Sequence, residues 1–523
     1  MEKHRPSRWK LAGAGLLAGV LAGIVMTTVM LLLASVLGLA TPLVIMGDRL
    51  SVFFDVDTFL YLMGRVGGYN RMKQLGVASV IVGQIVLGGL GGLAYAHVAH
   101  RWSKRSAQNF AAVIFLILPL VAVSAALWPV LGTHYGGLPI LSATAVTIVG
   151  LLISFLAFER TLVLSLNGMT ARPAQMPPEL EYSPPIGRRA LILTGLGLAV
   201  AGGGFGLLRK LYGAASFSYD GMQYGGDAVQ AITPNDSFYC VTKNVIDPVV
   251  NASVWRLEIT GLAGMHQSYN LDELKALPSV TQETTLMCIS NGIGAGLMSN
   301  AVWRGVPMRA LIEAAGPQPG VTRVRLHGVD NYTDTIPLAK ALDPATLVVY
   351  EMNGEPLPQR HGFPVRAIVP GYFGEKHVKW ITRLELADES VKGFYEKQGW
   401  GPDFTIPTRS RIDQPYHEAW LDLASASSGV GVRGIAFGGE RGISRVELST
   451  DDGNAWADAK IDYPGTRLSW ALWSFDWRPN APGDYTLVVR ATNADGEPQT
   501  FNPARPFKSG ATGFHKIVVH VYG

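Results

Sequence analysis

Residues 283–308 read ETTLMCISNGIGAGLMSNAVWRGVPM. An apolar β-type run delivers Cys288, and a Gly-rich chain then turns away. Such an arrangement presents a thiol to a bound group, although a buried packing cysteine looks much the same in isolation. Residues 351–380, EMNGEPLPQRHGFPVRAIVPGYFGEKHVKW, add weight. His361, Arg366, Lys376, His377 and Lys379 fall close together there, with Pro and Gly stiffening the chain between them. Clustered cations on stiff loops suit a buried phosphate. The bland alternative is a solvated surface patch, and the density of Pro, Gly and aromatic residues argues against it.

The surrounding chain, from about Ile232 to Trp400, mixes short β-type runs with turn signals. VWRLEITG, VTRVRLHGVD, TLVVYEMNG and FPVRAIVPG are the strand candidates, and LDELKAL and MRALIEAAG are the helical ones. This pattern predicts an α+β domain. From about Ser410 onward nearly every run is strand-like. VGVRGIAFGG, ISRVELSTDDG, WALWSFDWRP, DYTLVVRATNADG and FHKIVVHVYG alternate and are broken by Gly, Asp, Asn and Pro. Short strands at this spacing predict a β-sandwich of immunoglobulin type.

The N-terminal part differs in composition. The chain has 523 residues, of which 48% are hydrophobic and 16% charged. About 25% charged is usual for soluble domains. The deficit falls at the start, where no charged side chain occurs from Leu11 to Gly47. A bilayer-spanning helix needs about 20 such residues. Five spans are expected: Leu11–Leu37, Leu75–Ala96, Ala111–Leu131, Leu138–Phe158 and Ala190–Leu208. The basic stretches MEKHRPSRWK, His100–Arg105 and Glu159–Arg189 then share one side, which predicts a cytoplasmic N-terminus and an exported C-terminal part. Arg209 and Lys210 mildly oppose this. Arg188 and Arg189 open the fifth span in GRRALILTGLGLAVAGG, a pattern resembling a twin-arginine export signal. Tyr212–Asp227 is rich in Gly and Ser and reads as a linker.

Other classes are disfavoured. The net charge of +4 is spread among 40 acidic residues without a basic stripe, so nucleic acid is not an expected partner. Only Cys240 and Cys288 occur, too few for a Cys/His zinc quartet. They could pair in an exported domain, but free burial of Cys240 is the expectation. His97, His100 and His134 lie near span ends, and their depths do not match the facing pairs a transmembrane haem needs, so haem is not expected.

The strings TLMCISN, SNAVWRGVPMRALIEAAG, HGVDNYTDTIPLAKALDP, YEMNGEPLPQRHGFPVR and GEKHVKW resemble the molybdopterin domain of the sulfite oxidase family. The resemblance runs from about Ile232 to Leu386. VRGIAFGG, RVELSTDDGNAW and SWALW are similar to that family's C-terminal dimerisation domain, so a homodimer is implied. The expected organisation is a membrane region over 1–211 and a linker over 212–231. A molybdopterin-binding catalytic domain over 232–400 follows, then an immunoglobulin-like domain over 401–523. The resemblance implies that Cys288 is the thiolate ligand of molybdenum and that the dithiolene of molybdopterin supplies two more sulfurs. It implies that Asn244, Asp330, His361, Arg366, His377, Val378 and Lys379 hold the pterin and its phosphate. Lys376 falls near that phosphate, where the family often has Arg. Tyr332 falls on the tyrosine that faces the substrate.

Two positions depart from the family pattern. Lys243, in YCVTKN, stands where Arg precedes the residue corresponding to Asn244. Lys keeps the charge but not the bidentate fork. Ile293 stands five residues after Cys288, where a second Arg is usual. Losing an Arg fork from a desolvated anion costs ~2–5 kcal/mol. Two-electron oxygen-atom transfer at molybdenum is the activity implied, with Cys288, Tyr332 and Lys243 in the pocket. The substrate is either a sulfite-like oxyanion or an S- or N-oxide, and the smaller arginine content leans towards the oxide. No haem domain, iron–sulfur cysteine set or flavin fingerprint occurs, so electrons are expected to pass to another protein or a quinone. A non-catalytic binding or assembly role on the same fold is the alternative of another class, disfavoured by Cys288 and the intact HGFPVR and HVKW strings.

Overall fold

The computed structural model describes residues 8–37, 39, 55–126, 138–170, 202–206, 229–244, 247–501 and 507–523. They divide into two compact units. The first lies within Met1–Phe53, Tyr61–Phe217 and Lys243–Val249, and the second within Phe54–Leu60, Ser218–Thr242 and Val250–Gly523.

The first unit is built on four long helices: α1 (Arg8–Leu37), α2 (Tyr69–Arg101), α3 (Lys104–Ala126, with a π turn at Val113–Ile117) and α4 (Ile140–Thr170). Among the described residues these four are long and apolar enough to cross a membrane. They correspond to the first four expected spans. The fifth, Ala190–Leu208, lies outside the described residues except for 202–206, and so do Arg188, Arg189, His134 and the linker Tyr212–Asp227. Helices α1 and α2 approach through glycine. A Cβ on Gly92 would sit 2.0 Å from the Gly15 carbonyl oxygen, and one on Gly19 would sit 2.1 Å from that of Gly88. Small residues allow such close backbone packing where apolar solvent provides little drive for association. Helix α4 continues past Phe158, where the sequence predicts its span to end. The reason is its buried stripe, Leu151, Phe155, Phe158, Leu162 and Leu166, which keeps helical spacing across the charged pair. Glu159 is therefore a buried helical residue whose carboxylate pairs with Arg160 Nε at 3.3 Å.

In the second unit the expected strands form. They are β1 (Leu257–Gly261), β2 (Gln267–Tyr269), β3 (Val280–Met287), β4 (Met298–Pro307), β5 (Arg323–Gly328), β6 (Thr333–Pro337), β7 (Leu347–Met352), β8 (Glu355–Pro356), β9 (Arg366–Ile368) and β10 (Ile381–Ala387). One sheet has the order β2-β1-β10-β5-β6, with β1 and β10 parallel. The other has the order β3-β4-β7-β8, with β9 also paired to β7. Helix α5 (Leu271–Ala276) starts at a capping box, in which Asn270 Oδ1 accepts the Glu273 amide and Glu273 accepts the Asn270 amide. Helix α6 (Met308–Ala315) buries Met308, Leu311, Ile312 and Ala315 at helical spacing. Trp255, Trp303 and Trp380 are fully enclosed, and each indole N–H finds a backbone carbonyl. This is the α+β arrangement expected.

The C-terminal strands make two further sheets. One joins β11 (Arg409–Gln414), β13 (Val430–Phe437), β17 (Ala471–Trp477) and β16 (Lys460–Tyr463). The other joins β12 (Ala419–Asp422), β19 (His515–Tyr522), β18 (Gly483–Asn493), β14 (Ile443–Ser449) and β15 (Ala457–Asp458). Val432, Ala436, Trp473 and Trp477 from the first share one core with Val446, Leu448, Leu487, Val489, Ile517 and Val519 from the second. A separate apolar cluster links this region to the β3–β4 hairpin, through Met287, Ile289, Phe373, Trp400, Phe437 and Trp470.

Candidate active site

Strand β3 is paired with β4 along its full length, and the loop 288–297 joins them. Cys288 is the first residue of that loop. Its amide donates to the Leu297 carbonyl at 3.0 Å, and its Sγ lies 3.1 Å from Ser290 Oγ. The Leu297 amide donates to Asn291 Oδ1, which ties the loop across its neck. Burial pushes the Cys288 thiol up to about 11. A bare thiolate is unfavourable in this setting, and a bound cationic metal is what would stabilise one. Both cysteines are free, so Cys240 does not cap the ligand.

The C-terminal strand β11 holds this loop from outside. Arg409 donates to the carbonyls of Asn291 and Gly292, both at 2.8 Å, and Arg411 donates to that of Ala295 at 2.8 Å. Gly294 has φ +75°, and a Cβ there would lie 2.2 Å from His515 Nε2. Only glycine fits that backbone beside that ring. Arg409, Arg411 and His515 escape sequence reasoning because they lie more than a hundred positions from the loop they bind. The only local trace is two cations on one alternating strand.

A second group gathers on the chain 358–380. Arg366 is buried, and it donates to the carbonyls of His361 (3.0 Å) and His377 (3.1 Å). Its guanidinium lies over the Trp303 ring. Its Nε is buried without a hydrogen-bond partner, and among the described residues no carboxylate pairs with it. Burial lowers its pKa to about 10. Lys379 donates to the Arg360 carbonyl at 3.0 Å. His361 Nε2 lies 2.9 Å from the Asn235 carbonyl. His377 accepts the Val369 amide on Nδ1 and meets the Tyr372 carbonyl through Nε2. Burial, with Arg366 close by, holds both imidazoles neutral, near 3. Val378 is enclosed, and its carbonyl accepts the Ala367 amide. Tyr239, next to Cys240, is buried, and burial raises its hydroxyl pKa, with Cys288 adding to the rise and Arg366 opposing it.

The other five expected site residues have different neighbours. Lys376 is 2% exposed, and its amine binds Asp334 Oδ1 and Glu396 Oε1, each at 2.7 Å. It is thus committed to a buried acid cluster rather than to the Arg366 group. The Tyr332 hydroxyl lies 2.9 Å from Asp334 Oδ2 and 3.1 Å from the Glu375 carbonyl, so it belongs to the same cluster. Asp330 is buried and accepts the Tyr332 amide at 3.2 Å. Lys243 and Asn244 fall in the first unit. There Lys243 Nζ donates to Asn244 Oδ1, and Lys73 donates to the Asn244 carbonyl. The sequence offers no sign of Asp334 or Glu396 as partners of Lys376, because charge pairing over such separations leaves no local spacing.

Two family models match the chain. The oxidoreductase molybdopterin binding domain covers 244–395, and the Mo-co oxidoreductase dimerisation domain covers 403–520. The chain is 32% identical over 316 residues to the sulfite oxidase of Gallus gallus, covering 51% of this chain and 68% of that protein. This chain belongs to the sulfite oxidase family of molybdopterin-dependent oxidoreductases. It is also 33% identical over 346 residues to the mitochondrial sulfite oxidase of Drosophila melanogaster, covering 56% of this chain and 60% of that protein. An NADH nitrate reductase of Solanum lycopersicum is 30% identical over 288 residues, covering 44% of this chain and 32% of that protein. The chain spans about three fifths of the length of the first sulfite oxidases it matches. Among solved structures, the sulfane dehydrogenase SoxCD from Paracoccus pantotrophus shares the fold at TM-score 0.50 and 21% identity, over 57% of this chain and 85% of that one.

The residues present fit the sulfite oxidase family's cofactor. Among the described residues no group of three or more His, Cys, Asp or Glu could hold a metal ion. A metal at Cys288 could take further ligands from an organic group, as the dithiolene of molybdopterin provides. The buried guanidinium of Arg366, with its orphaned Nε, calls for an anion, as the pterin phosphate provides.

Proposed function

We propose that this chain is a membrane-anchored molybdenum oxidoreductase that carries out two-electron oxygen-atom transfer on a small oxyanion or an S- or N-oxide, outside the cytoplasm. The observation that carries the reading is the presence in one unit of Cys288 on a tied loop and of Arg366, a buried cation that no carboxylate pairs among the described residues. When bound, the cofactor supplies the metal that accepts or donates the oxygen atom and the two electrons. The chain's own residues do the rest. Cys288 holds the metal. Arg366, with His361, His377, Val378, Lys379 and Asp330, holds the pterin and its phosphate, while Tyr332 lines the substrate side. Arg409 and Arg411 keep the Cys288 loop in place.

Between the two substrate classes, Ile293 favours an oxide. An oxyanion dianion would find an apolar side chain where an arginine fork is usual. The test is a substrate screen of the full chain with redox dyes. Reduction of S- or N-oxides by a reduced viologen is expected to exceed sulfite oxidation with ferricyanide. Turnover in neither direction by fully metallated protein would leave the binding or assembly role.

The two C-terminal sheets with their shared core support an immunoglobulin-type sandwich and, through the dimerisation domain, a homodimer. Electrons pass to a separate protein or a quinone. Helices α1–α4 serve as the anchor, and the basic ends of the chain segments between spans support a cytoplasmic N-terminus. Protease added to intact spheroplasts is expected to digest the catalytic domain. Protection until the membrane is broken would place it inside.

A further inference from the structure

A chain of hydrogen bonds runs outward from Tyr332. Its hydroxyl donates to Asp334 Oδ2 at 2.9 Å. Asp334 Oδ1 accepts from Lys376 Nζ at 2.7 Å, and the same amine reaches Glu396 Oε1 at 2.7 Å. Glu396 Oε1 also accepts from Thr335 Oγ1 at 2.6 Å, and Arg323 Nη1 lies 3.4 Å from Glu396 Oε2. Side-chain exposure rises along this path, from 1% at Asp334 and 2% at Lys376 to 14% at Glu396 and 35% at Arg323. The chain therefore connects the interior to solvent. Its inner end lies beside the Cys288 strand. The Tyr332 hydroxyl is 3.1 Å from the Glu375 carbonyl oxygen, in the turn Gly374–Lys376. A Cβ on Gly374 would lie 3.3 Å from the Met287 carbonyl oxygen and 3.7 Å from Cys288 Cα, so that turn packs where β3 delivers Cys288. Two acids and an amine are costly to bury, and apolar residues of similar volume are often as stable. Stability alone does not account for the chain.

We propose that Tyr332, Asp334, Lys376 and Glu396 form the proton path between solvent and the oxygen-transfer site. The proposal rests on reading Cys288 as the metal ligand and Tyr332 as lining the substrate side. A sulfoxide, two protons and two electrons give a sulfide and water. The S=O bond breaks, sulfur is reduced, and the electrons come from the separate protein or quinone. In the other direction, sulfite and water give sulfate, two protons and two electrons. Either substrate class moves two protons per turnover, and those protons need a route. Inward, Lys376 gives a proton to Asp334 and takes one from Glu396, which is refilled from solvent. Protonated Asp334 donates to the phenol oxygen as the phenol releases its own proton on the substrate side. The reverse order carries protons out. Burial raises the Asp334 acid, against the opposing pull of Lys376, which brings its protonated form within reach.

The test uses the full-length holoenzyme in detergent, with Asp334→Asn and Glu396→Gln, each checked for molybdenum content. Both changes keep the side-chain shape and remove a proton carrier. The substrate is whichever the wild type turns over, dimethyl sulfoxide with reduced viologen or sulfite with ferricyanide. Each variant is expected to lose about a hundredfold in kcat with little change in KM, the lower end of what a positioned proton-transfer group contributes. The solvent deuterium isotope effect on kcat should rise. Small buffers such as imidazole should restore Glu396→Gln, at the outer end, and not the enclosed Asp334→Asn. A second readout needs no turnover. The fluorine resonance of 3-fluorotyrosine placed at Tyr332 should shift in Glu396→Gln, three links away. Unchanged kcat in both variants, losses that no buffer restores, or an unshifted resonance overturns the proposal. A wild type that turns over neither substrate overturns the functional reading instead, and the resonance still decides whether the chain is connected.

Discussion

Replacing Cys288 by serine is expected to abolish turnover while the pterin stays bound. Cys288 is the cysteine at the mouth of the β3–β4 loop, and its backbone is held at Leu297 whatever its side chain. A serine hydroxyl is harder than a thiolate and stays protonated at neutral pH, so it is a poor ligand for a metal already bound by dithiolene sulfur. The loss should exceed the roughly 10–100-fold typical of changes outside the ligand shell. On the proposed reading the Arg366 group grips the pterin, so pterin per chain should remain near the wild-type value. Activity within tenfold of wild type would refute the ligand role.

The second large effect is expected at Arg366. Arg366→Met keeps much of the side-chain volume and its packing near Trp303 but removes the cation. The cofactor phosphate proposed to face it would then be unpaired, which costs ~2–5 kcal/mol and translates to a loss of about 30-fold to several thousand-fold in cofactor affinity. The variant is expected to fold and to lose pterin and molybdenum together on desalting, as measured by metal analysis and pterin fluorescence. Full retention of both would show that the guanidinium serves only the carbonyls of His361 and His377.

The two variants separate the halves of the site, and both halves are readable in the sequence. Cys288 and the 358–380 chain stand out in the sequence because stiff local strings carry them: a strand end followed by glycines, and cations spaced by Pro and Gly. The strands of the second unit were equally plain, since alternation and turn residues mark each one. The partners of Lys376 were not legible. Its proximity to the phosphate residues in sequence suggested a shared role, but the Gly374–Lys376 turn points its amine to Asp334, on β6, and to Glu396. Side-chain direction at a turn is set by tertiary packing, which local spacing does not encode. The same limit hid Arg409 and Arg411, which reach the Cys288 loop from the next domain. In the first unit the charged pair Glu159–Arg160 looked like the end of a span. The helix continues because the buried face, not the charge, sets its length.

The central claim is that Cys288 and the Arg366 group together hold a molybdenum–molybdopterin centre. Quantifying molybdenum and pterin in wild-type protein purified from a cofactor-competent host tests it most directly. About one of each per folded chain is expected. Folded protein that contains neither would contradict it.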